Sequence, residues 1–589
     1  TTYNQFGGKA SLTFTPIEGL DFSFIVSSLL NNNKEKQVRN KIQYTFYDDP
    51  STYIGYISSA TSNSLKESRP DSYRLTTQFL ANYKKTIGRH SLNLMSGFEG
   101  YQGYSESMSA SSDQMQFSAF PYLNLANTNF ITVSGDAYEN AYNSYFGRVV
   151  YSYNNRYLLQ GNARYDGSSR FNSDFRWGFF PSLSAGWVLS EESFMKDVPL
   201  LSFMKLRVSW GQLGNERIGN YPYQTKIEFD NALFYSGNNV VSSQTARQRA
   251  YAIRDISWET TESVNLGLDI SFFDNKLQLS GDIYDKNTKN MLLALEIPDY
   301  IGFTNPQQNA GTMNTKGWEM EFKWHDQIGK FKYSISANLS DFRSVMGDLG
   351  GIEFLGSQVK LKGSEFNEWY GYKTDGIFQT QEEVDNSPKL NANVKPGDIK
   401  LLDISGPDGI PDGIISADYD RTLLGGSLPR YLYGGSINLE YENFNLSLTV
   451  QGVGKENARK TTVMVQPLRS DYGNFPAFID NNYWSVYNTA EKNMVVEYPR
   501  LSATSSSNNY SMSDFWLFNG AYFRLKNVTL GYNLPNSWLE SIETKDIRLY
   551  ITGVDLFSFN NYPKGWDPEV SDAGYPITAS FIFGISVKF

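Results

Sequence analysis

The residues best able to do chemistry crowd one short segment. Asp403, Asp408, Asp412, Asp418 and Asp420 lie in GDIKLLDISGPDGIPDGIISADYDRTLLGG, a stretch rich in glycine and proline. A hard cation such as Ca²⁺ takes six to eight oxygen ligands, and a sharply turning loop can bring carboxylates together around it. Asp412-Gly413, followed by Ile415, has the order of aspartate, glycine and aliphatic seen in the second half of a twelve-residue calcium loop. In that register Asp408 takes the first ligand position, but Ile410 takes the third and Tyr419 the last, where oxygen ligands are required. The alternative is a rigid loop whose aspartates cap its own turns. Calcium on the five aspartates is one expectation, and a self-capped turn is the other.

Other reaction chemistries find little support. The two histidines, His90 and His325, each sit beside a predicted short turn, with no serine and acid patterned around them. Paired carboxylates are plentiful, but nothing selects one pair as acid and base. Gly425-Gly426 and Gly531 fall in loop or strand contexts with no helix following, which rules out a phosphate cradle. Cysteine is absent, so no disulfide framework, thiol nucleophile or cysteine zinc site exists. A formal charge of −10 argues against a nucleic-acid partner. An enzyme is not expected. Trp369, Tyr370, Tyr472, Phe475 and Trp484 lie on predicted outer loops, where aromatic faces could stack on sugars. For each of them, packing in a loop core or at a membrane interface is the competing reading.

The elements that must position these residues are strands. Mean hydropathy is −0.44 and no apolar run is long enough for a membrane helix, yet the chain holds 40 Tyr, 39 Phe and 48 Gly. Such a profile suits a transmembrane β-barrel, whose lipid-facing and lumen-facing residues alternate and cancel in any average. In SVNLGLDISFFDNKLQLSGDIYDK, Val264, Leu266, Leu268, Ile270 and Phe272 share one face, and Asn265, Asp269 and Ser271 the other. After Asp274-Asn275, Leu277, Leu279 and Ile283 alternate with Gln278, Ser280 and Asp282. YLLQGNARY, FMKLRVSW and SINLEYENFNLSLTVQG repeat the pattern. So does the ending, where Phe581, Phe583, Ile585, Val587 and Phe589 form one apolar side. A large soluble β protein would also alternate, but strands of this length with aromatics near their ends favour a barrel in lipid.

Connections take turns between two lengths. Short ones fall at 16–19, near Thr86-Ile87-Gly88, and at Asn154-Asn155, Asp274-Asn275, Gln327-Ile328-Gly329 and Glu442-Asn443. Long ones run at about 29–72, 99–142, 212–260, 287–316, 341–431 and 454–520. In outer-membrane barrels the short turns are periplasmic and the long loops extracellular. The count is about seventeen strands, and the first descends into a short turn. Every odd strand then descends, so the first and last would be parallel and could not close an antiparallel wall. The expectation is that an odd number of N-terminal strands, with any leader, lies outside this sequence or on another chain.

Several blocks point to a family. RYDGSSRFNSDFRWGFFPSLSAGWVLSEESFM (164–195) and LLSFMKLRVSWGQLGNERIGNY (200–221) resemble signature blocks of the SusC/RagA family, the TonB-dependent outer-membrane importers of Bacteroidota. So do 256–292, 309–324 and the aspartate segment at 397–435. FNGAYFRLKNVTLGYNLP (518–535) and GVDLFSFNNYPKGWDPEV (553–570) are similar to its ending. The resemblance runs through nearly the whole chain in order. It implies an all-β transmembrane antiparallel barrel of the 22-stranded TonB-dependent type, with a plug in the lumen and a TonB-contacting segment before it. It also implies a SusD-like lipoprotein over the mouth and an address in the outer membrane of a Gram-negative, Bacteroidota-like bacterium. No plug or TonB-contacting segment is found in these residues. The expected function is import of a bulky nutrient, an oligosaccharide before an oligopeptide. The rival is a SusC-like accessory subunit of an outer-membrane assembly.

Overall fold

In the computed structural model of the chain, the described residues are 1–57, 60–116, 119–237, 239–294, 297, 299–351, 353–461, 464–468, 476–502, 507–539, 544–570 and 574–588. Seventeen strands belong to one sheet. We number them β1 (Thr2–Ile17), β2 (Leu20–Arg39), β3 (Ser64–Ile87), β4 (His90–Ser112), β5 (Ile131–Tyr153), β6 (Tyr157–Ser168), β7 (Trp177–Val188), β8 (Leu201–Asn215) and β9 (Glu259–Phe272). There follow β10 (Leu277–Lys289), β11 (Thr312–Ile328), β12 (Phe331–Met346), β13 (Arg430–Tyr441), β14 (Phe444–Lys455), β15 (Tyr522–Asn533), β16 (Asp546–Asn560) and β17 (Ser580–Lys588). Among the described residues no helix is long and apolar enough to cross a membrane.

The chain divides into two compact units, 1–187 with 208–264 and 287–312, and 188–207 with 265–286 and 313–589. In the first, β1 to β7 pair antiparallel, each with the next. In the second, β11 to β17 do the same. The short connections lie where left-handed backbone is tolerated: Gly19, Gly88, Asn154, Asn155, Asp274, Asn275, Gly329 and Glu442 all have positive φ. Glycine and asparagine adopt this region at the least steric cost, which is why these turns could be read from sequence.

Register gives the first unit an apolar and a polar face. Phe24, Phe79, Phe98 and Tyr145 follow one another across β2 to β5 with ring centroids 4.7, 6.5 and 5.1 Å apart, and Trp177 of β7 continues the row at 6.2 Å from Tyr145. Near the short-turn end, His90, Tyr153 and Tyr157 make a second aromatic row, at 4.9 and 6.3 Å. His90 and Phe98, like Tyr145 and Tyr153, are eight residues apart on one strand. At about 3.4 Å per residue the rows are roughly 27 Å apart along the strand, or roughly 20 Å in height at a barrel strand's tilt of about 40°, which fits within the apolar band of about 25 Å of an outer-membrane barrel. Between them Val149, Leu159 and Leu183 remain about half exposed, an apolar surface that hydrocarbon solvates and water does not. The second unit repeats the rule, with Phe444 tilted against Tyr532 at 4.7 Å near the short turns and Phe523 against Phe559 at 6.2 Å further up.

One expectation needs correction. The segments 29–72 and 99–142, expected as loops, are largely strand. β3, β4 and β5 run for 24, 23 and 23 residues, about twice what a tilted span requires. Their outer halves are rich in serine and charge, and this composition reads as loop. Ladder pairing continues through it nevertheless, from Leu65↔Ser112 and Ser112↔Ile131 inward, with Ser109 and Ser134 hydroxyls 2.8 Å apart. The connections that remain are 40–63 and 113–130.

The two faces predict opposite responses to charge. Val149→Arg, midway between the aromatic rows, is expected to lower folding stability in bilayers by about 2–4 kcal/mol, and Gln160→Arg on the polar face by less than about 1 kcal/mol. Equilibrium urea unfolding from phospholipid vesicles checks both; equal losses would refute the assignment of faces.

Candidate functional site

The polar face of the second unit is organised by arginines that bridge strands. Arg207 on β8 donates from Nε and Nη2 to Asp269 of β9 at 2.8 and 3.0 Å. The same guanidinium donates to Asp282 of β10 at 3.0 and 2.9 Å, while Ser280 Oγ donates to Asp269 at 2.7 Å. Gly267 is required beneath this fork, because a Cβ there would lie 2.6 Å from Arg207 Cζ. The polar positions read separately from FMKLRVSW and from the 264–283 hairpin thus converge on one cluster. Arg430 and Asp341 form a second such pair between β13 and β12.

The long connections after β12 and β14 fold into a packed body with its own core. A four-stranded sheet joins Phe354–Leu355, Gln358–Lys360, Glu368–Tyr372 and Arg421–Gly425, and Asn457–Arg459 pairs with Leu517–Asn519. Tyr372, Ile399, Leu401, Ile415, Ile479, Tyr498 and Trp516 form the buried cluster. At its centre Asp398 is fully buried. Arg500 grips it through Nε at 2.7 Å and Nη2 at 3.1 Å, the Asn509 amide donates to it at 2.9 Å, and so does the Lys395 backbone N–H. Asn509 Oδ1 in turn accepts from the Ile399 N–H at 2.9 Å, and Trp516 Nε1 donates to the Asn509 carbonyl. Nothing in the sequence singled out Asp398; the signal was its place just before the alternating Ile399 and Leu401.

The five candidate aspartates are not gathered around one point. Among the described residues no three Asp, Glu or His side chains are grouped as a metal cage. Asp420, fully buried, accepts from the backbone N–H groups of Ile404, Ser405 and Ser416 at 2.8, 3.2 and 2.7 Å. Asp403 Oδ2 accepts from Gly413 N–H at 2.6 Å, and its Oδ1 is buried without a partner. Asp412 accepts from Ile414 N–H, while Asp408 and Asp418 are exposed. Backbone amides thus occupy both Asp420 oxygens, Asp403 Oδ2 and Asp412 Oδ1, the pattern of a loop whose aspartates cap its own turns.

The proposed sugar platforms are structural where they are described. Trp369 donates to the Asn457 carbonyl at 2.6 Å with Arg459 over its ring, Tyr370 lies under Arg421 at 4.5 Å, and Trp484 is buried against Gly397. Tyr472 and Phe475 lie outside the described residues. Among the described residues the aromatic rings most open to solvent are instead Tyr47, Tyr300, Tyr487 and Tyr575, each at least 84% exposed. His90 Nδ1 lies 2.8 Å from the Tyr151 hydroxyl in the lower aromatic row, and the His325 N–H donates to the Lys276 carbonyl.

These observations define a two-faced strand wall with a folded loop body, and the comparisons give it a family. The family model described as "TonB dependent receptor-like, beta-barrel" matches residues 2–556, and the chain belongs to that family. TonB-dependent receptor P3 of Formosa agariphila is 31% identical over 88% of this chain and 53% of its own length. TonB-dependent receptor SusC of Bacteroides thetaiotaomicron is 28% identical over 88% of this chain and 50% of its own. The chain therefore spans about half the length of these curated relatives. Among solved structures, the RagAB peptide transporter shares the fold with a TM-score of 0.81 at 22% identity, over all of this chain and 62% of that one.

Two predictions follow from the loop body. Asp398→Ala removes the buried acceptor of half-buried Arg500, of the Asn509 amide and of the Lys395 N–H, and is expected to destabilise the body by about 2–4 kcal/mol, whereas Asp408→Ala changes it by less than about 0.5 kcal/mol. Hydrogen-exchange protection at 398–401 measures both. Burial also raises the Glu456 carboxyl above its usual value of 4.5. The folded chain then holds this proton more tightly than the unfolded one, so stability is greatest below 4.5 and falls as pH rises through the folded value. Glu456→Gln should remove that loss, and protease resistance of 456–521 at about pH 5 and pH 8 should then differ less than in the wild type.

Proposed function

We propose that the chain is the larger part of the barrel of a TonB-dependent importer in the outer membrane of a Gram-negative, Bacteroidota-like bacterium. The family match across almost every strand carries this reading. It is supported by two aromatic rows at bilayer spacing, by a charged face suited to a polar lumen, and by a folded loop body at the long-connection end. The long loops would face outward, a SusD-like lipoprotein would cover them, and TonB would act through a plug.

The nutrient is bulky and polar, an oligosaccharide before an oligopeptide. The exposed rings of Tyr300, Tyr487 and Tyr575 favour the first, because a flat aromatic face stacks on the apolar side of a sugar ring. The fold shared with the RagAB peptide transporter keeps the second in play.

The test is purification from the native membrane in mild detergent, followed by native mass spectrometry. A stoichiometric surface lipoprotein together with a ladder of hexose-spaced ligand masses is the expected result. A ladder of peptide masses would replace oligosaccharide by oligopeptide. Recovery with assembly or secretion components and no ligand would overturn import in favour of an accessory role.

A further inference from the structure

The block GVDLFSFNNYPKGWDPEV takes no part in the loop core or in the Arg207 cluster, yet it builds the densest ion network in the second unit. It begins with a bulge. Leu525 pairs with Phe557 and Asn527 with Val554, so Lys526 of β15 stands opposite two residues of β16, Asp555 and Leu556. Asp555 adopts φ +51°, and Lys526 Nζ lies 2.9 Å from its carboxylate. Bulges of this kind re-aim side chains. Here Arg524, Lys526 and Asp555 come together on the polar face, opposite the neighbouring rings of Phe523 and Phe559.

The segment after β16 then returns to the same point. Asp567 accepts from Arg524 Nη2 at 2.7 Å, Glu569 lies 2.9 Å from Arg524 Nε and 3.3 Å from Lys526 Nζ, and the Gln451 amide of β14 donates to Glu569. Asp567 Oδ1 also accepts from the Glu569 N–H at 2.9 Å, which aims both carboxylates the same way. Arg524 is only 2% exposed. Two cations and three carboxylates thus clip residues 561–570 across β14, β15 and β16.

The clipped segment carries two aromatic contacts to the loop body. Trp566 meets Phe478 edge-on at 6.5 Å, and Tyr562 meets Phe518 at 4.9 Å. Phe478 itself packs on the buried cluster around Tyr498. We infer that Arg524, Asp567 and Glu569 form a latch that holds the last long connection against the polar face of the wall and, through Trp566 and Phe478, holds the loop body in place. These are positioning residues: they fix where the loop surface stands, whatever ligand it meets.

Hydrogen exchange followed by mass spectrometry on the purified full protein tests this in four variants. Arg524→Met and the double variant Asp567→Asn/Glu569→Gln should speed exchange in 561–570 and also in 476–502 by on the order of a hundredfold, with the ladders of β14 to β16 unchanged. Arg524→Lys keeps the charge and should restore part of the protection in both segments. Trp566→Ala cuts only the aromatic link, so 476–502 should loosen while 561–570 stays protected. Protection of 476–502 that survives every variant would overturn the latch, and so would loosening of the β14–β16 ladders before the loops. Should Arg524→Met fail to insert, the neutral double variant and Trp566→Ala decide the question alone.

Discussion

A strand that faces hydrocarbon cannot leave its backbone amides and carbonyls unpaired, and that constraint shapes everything else in this chain. Each strand must have neighbours in a continuous ladder. Because side chains alternate along it, every ladder has one face for lipid and one for water. Register therefore matters more than the identity of any one residue. A slip by a single position would carry Asp269 and Asp282 into the apolar band and turn Leu266 and Leu268 inward. The aligned rows of Phe24, Phe79, Phe98 and Tyr145 hold that register from the outside, while the Arg207, Asp269 and Asp282 bridge holds it from the polar side.

Charges on the polar face show how a narrow wall keeps ionic groups without isolating them. Arg207, Arg430 and Arg524 each reach a carboxylate on a neighbouring strand, and small residues such as Gly267 make room for the crossing. The arrangement ties neighbouring strands to one another. In the loop body the same chemistry sits on a fully buried carboxylate, Asp398, held by half-buried Arg500. There the pair would cost more to desolvate than it returns, were it not that Asn509 and backbone donors satisfy the remaining lone pairs. Connections of this length fold only if they enclose a core of their own, and the aromatic and aliphatic cluster around Trp516 supplies it.

The aspartate loop shows a competition that composition does not resolve. Five carboxylates near glycines suit either a cation or a set of orphan backbone amides. Three N–H groups converge on Asp420 because the segment turns back on itself and brings residues 404 and 405 beside residue 416. Glycines with positive φ at 409 and 413 permit the turn. The acids that remain, Asp408 and Asp418, face solvent.

By itself the sequence determined the class of the wall: period-two alternation, seventeen strands and the place of six short turns follow from side-chain pattern and, at five of those turns, from glycine or asparagine at left-handed positions. The family blocks also stand in the sequence as written. It did not determine where β3, β4 and β5 end, because serine-rich strand and serine-rich loop look alike until a neighbour offers a ladder. Nor did it mark Asp398, Arg524 or Asp567, whose ion-pair partners lie from 31 to 102 residues away along the chain. Alternation is local, so the sequence displays it. The burial of a charge depends on which distant residues come to surround it, and only the tertiary structure decided that.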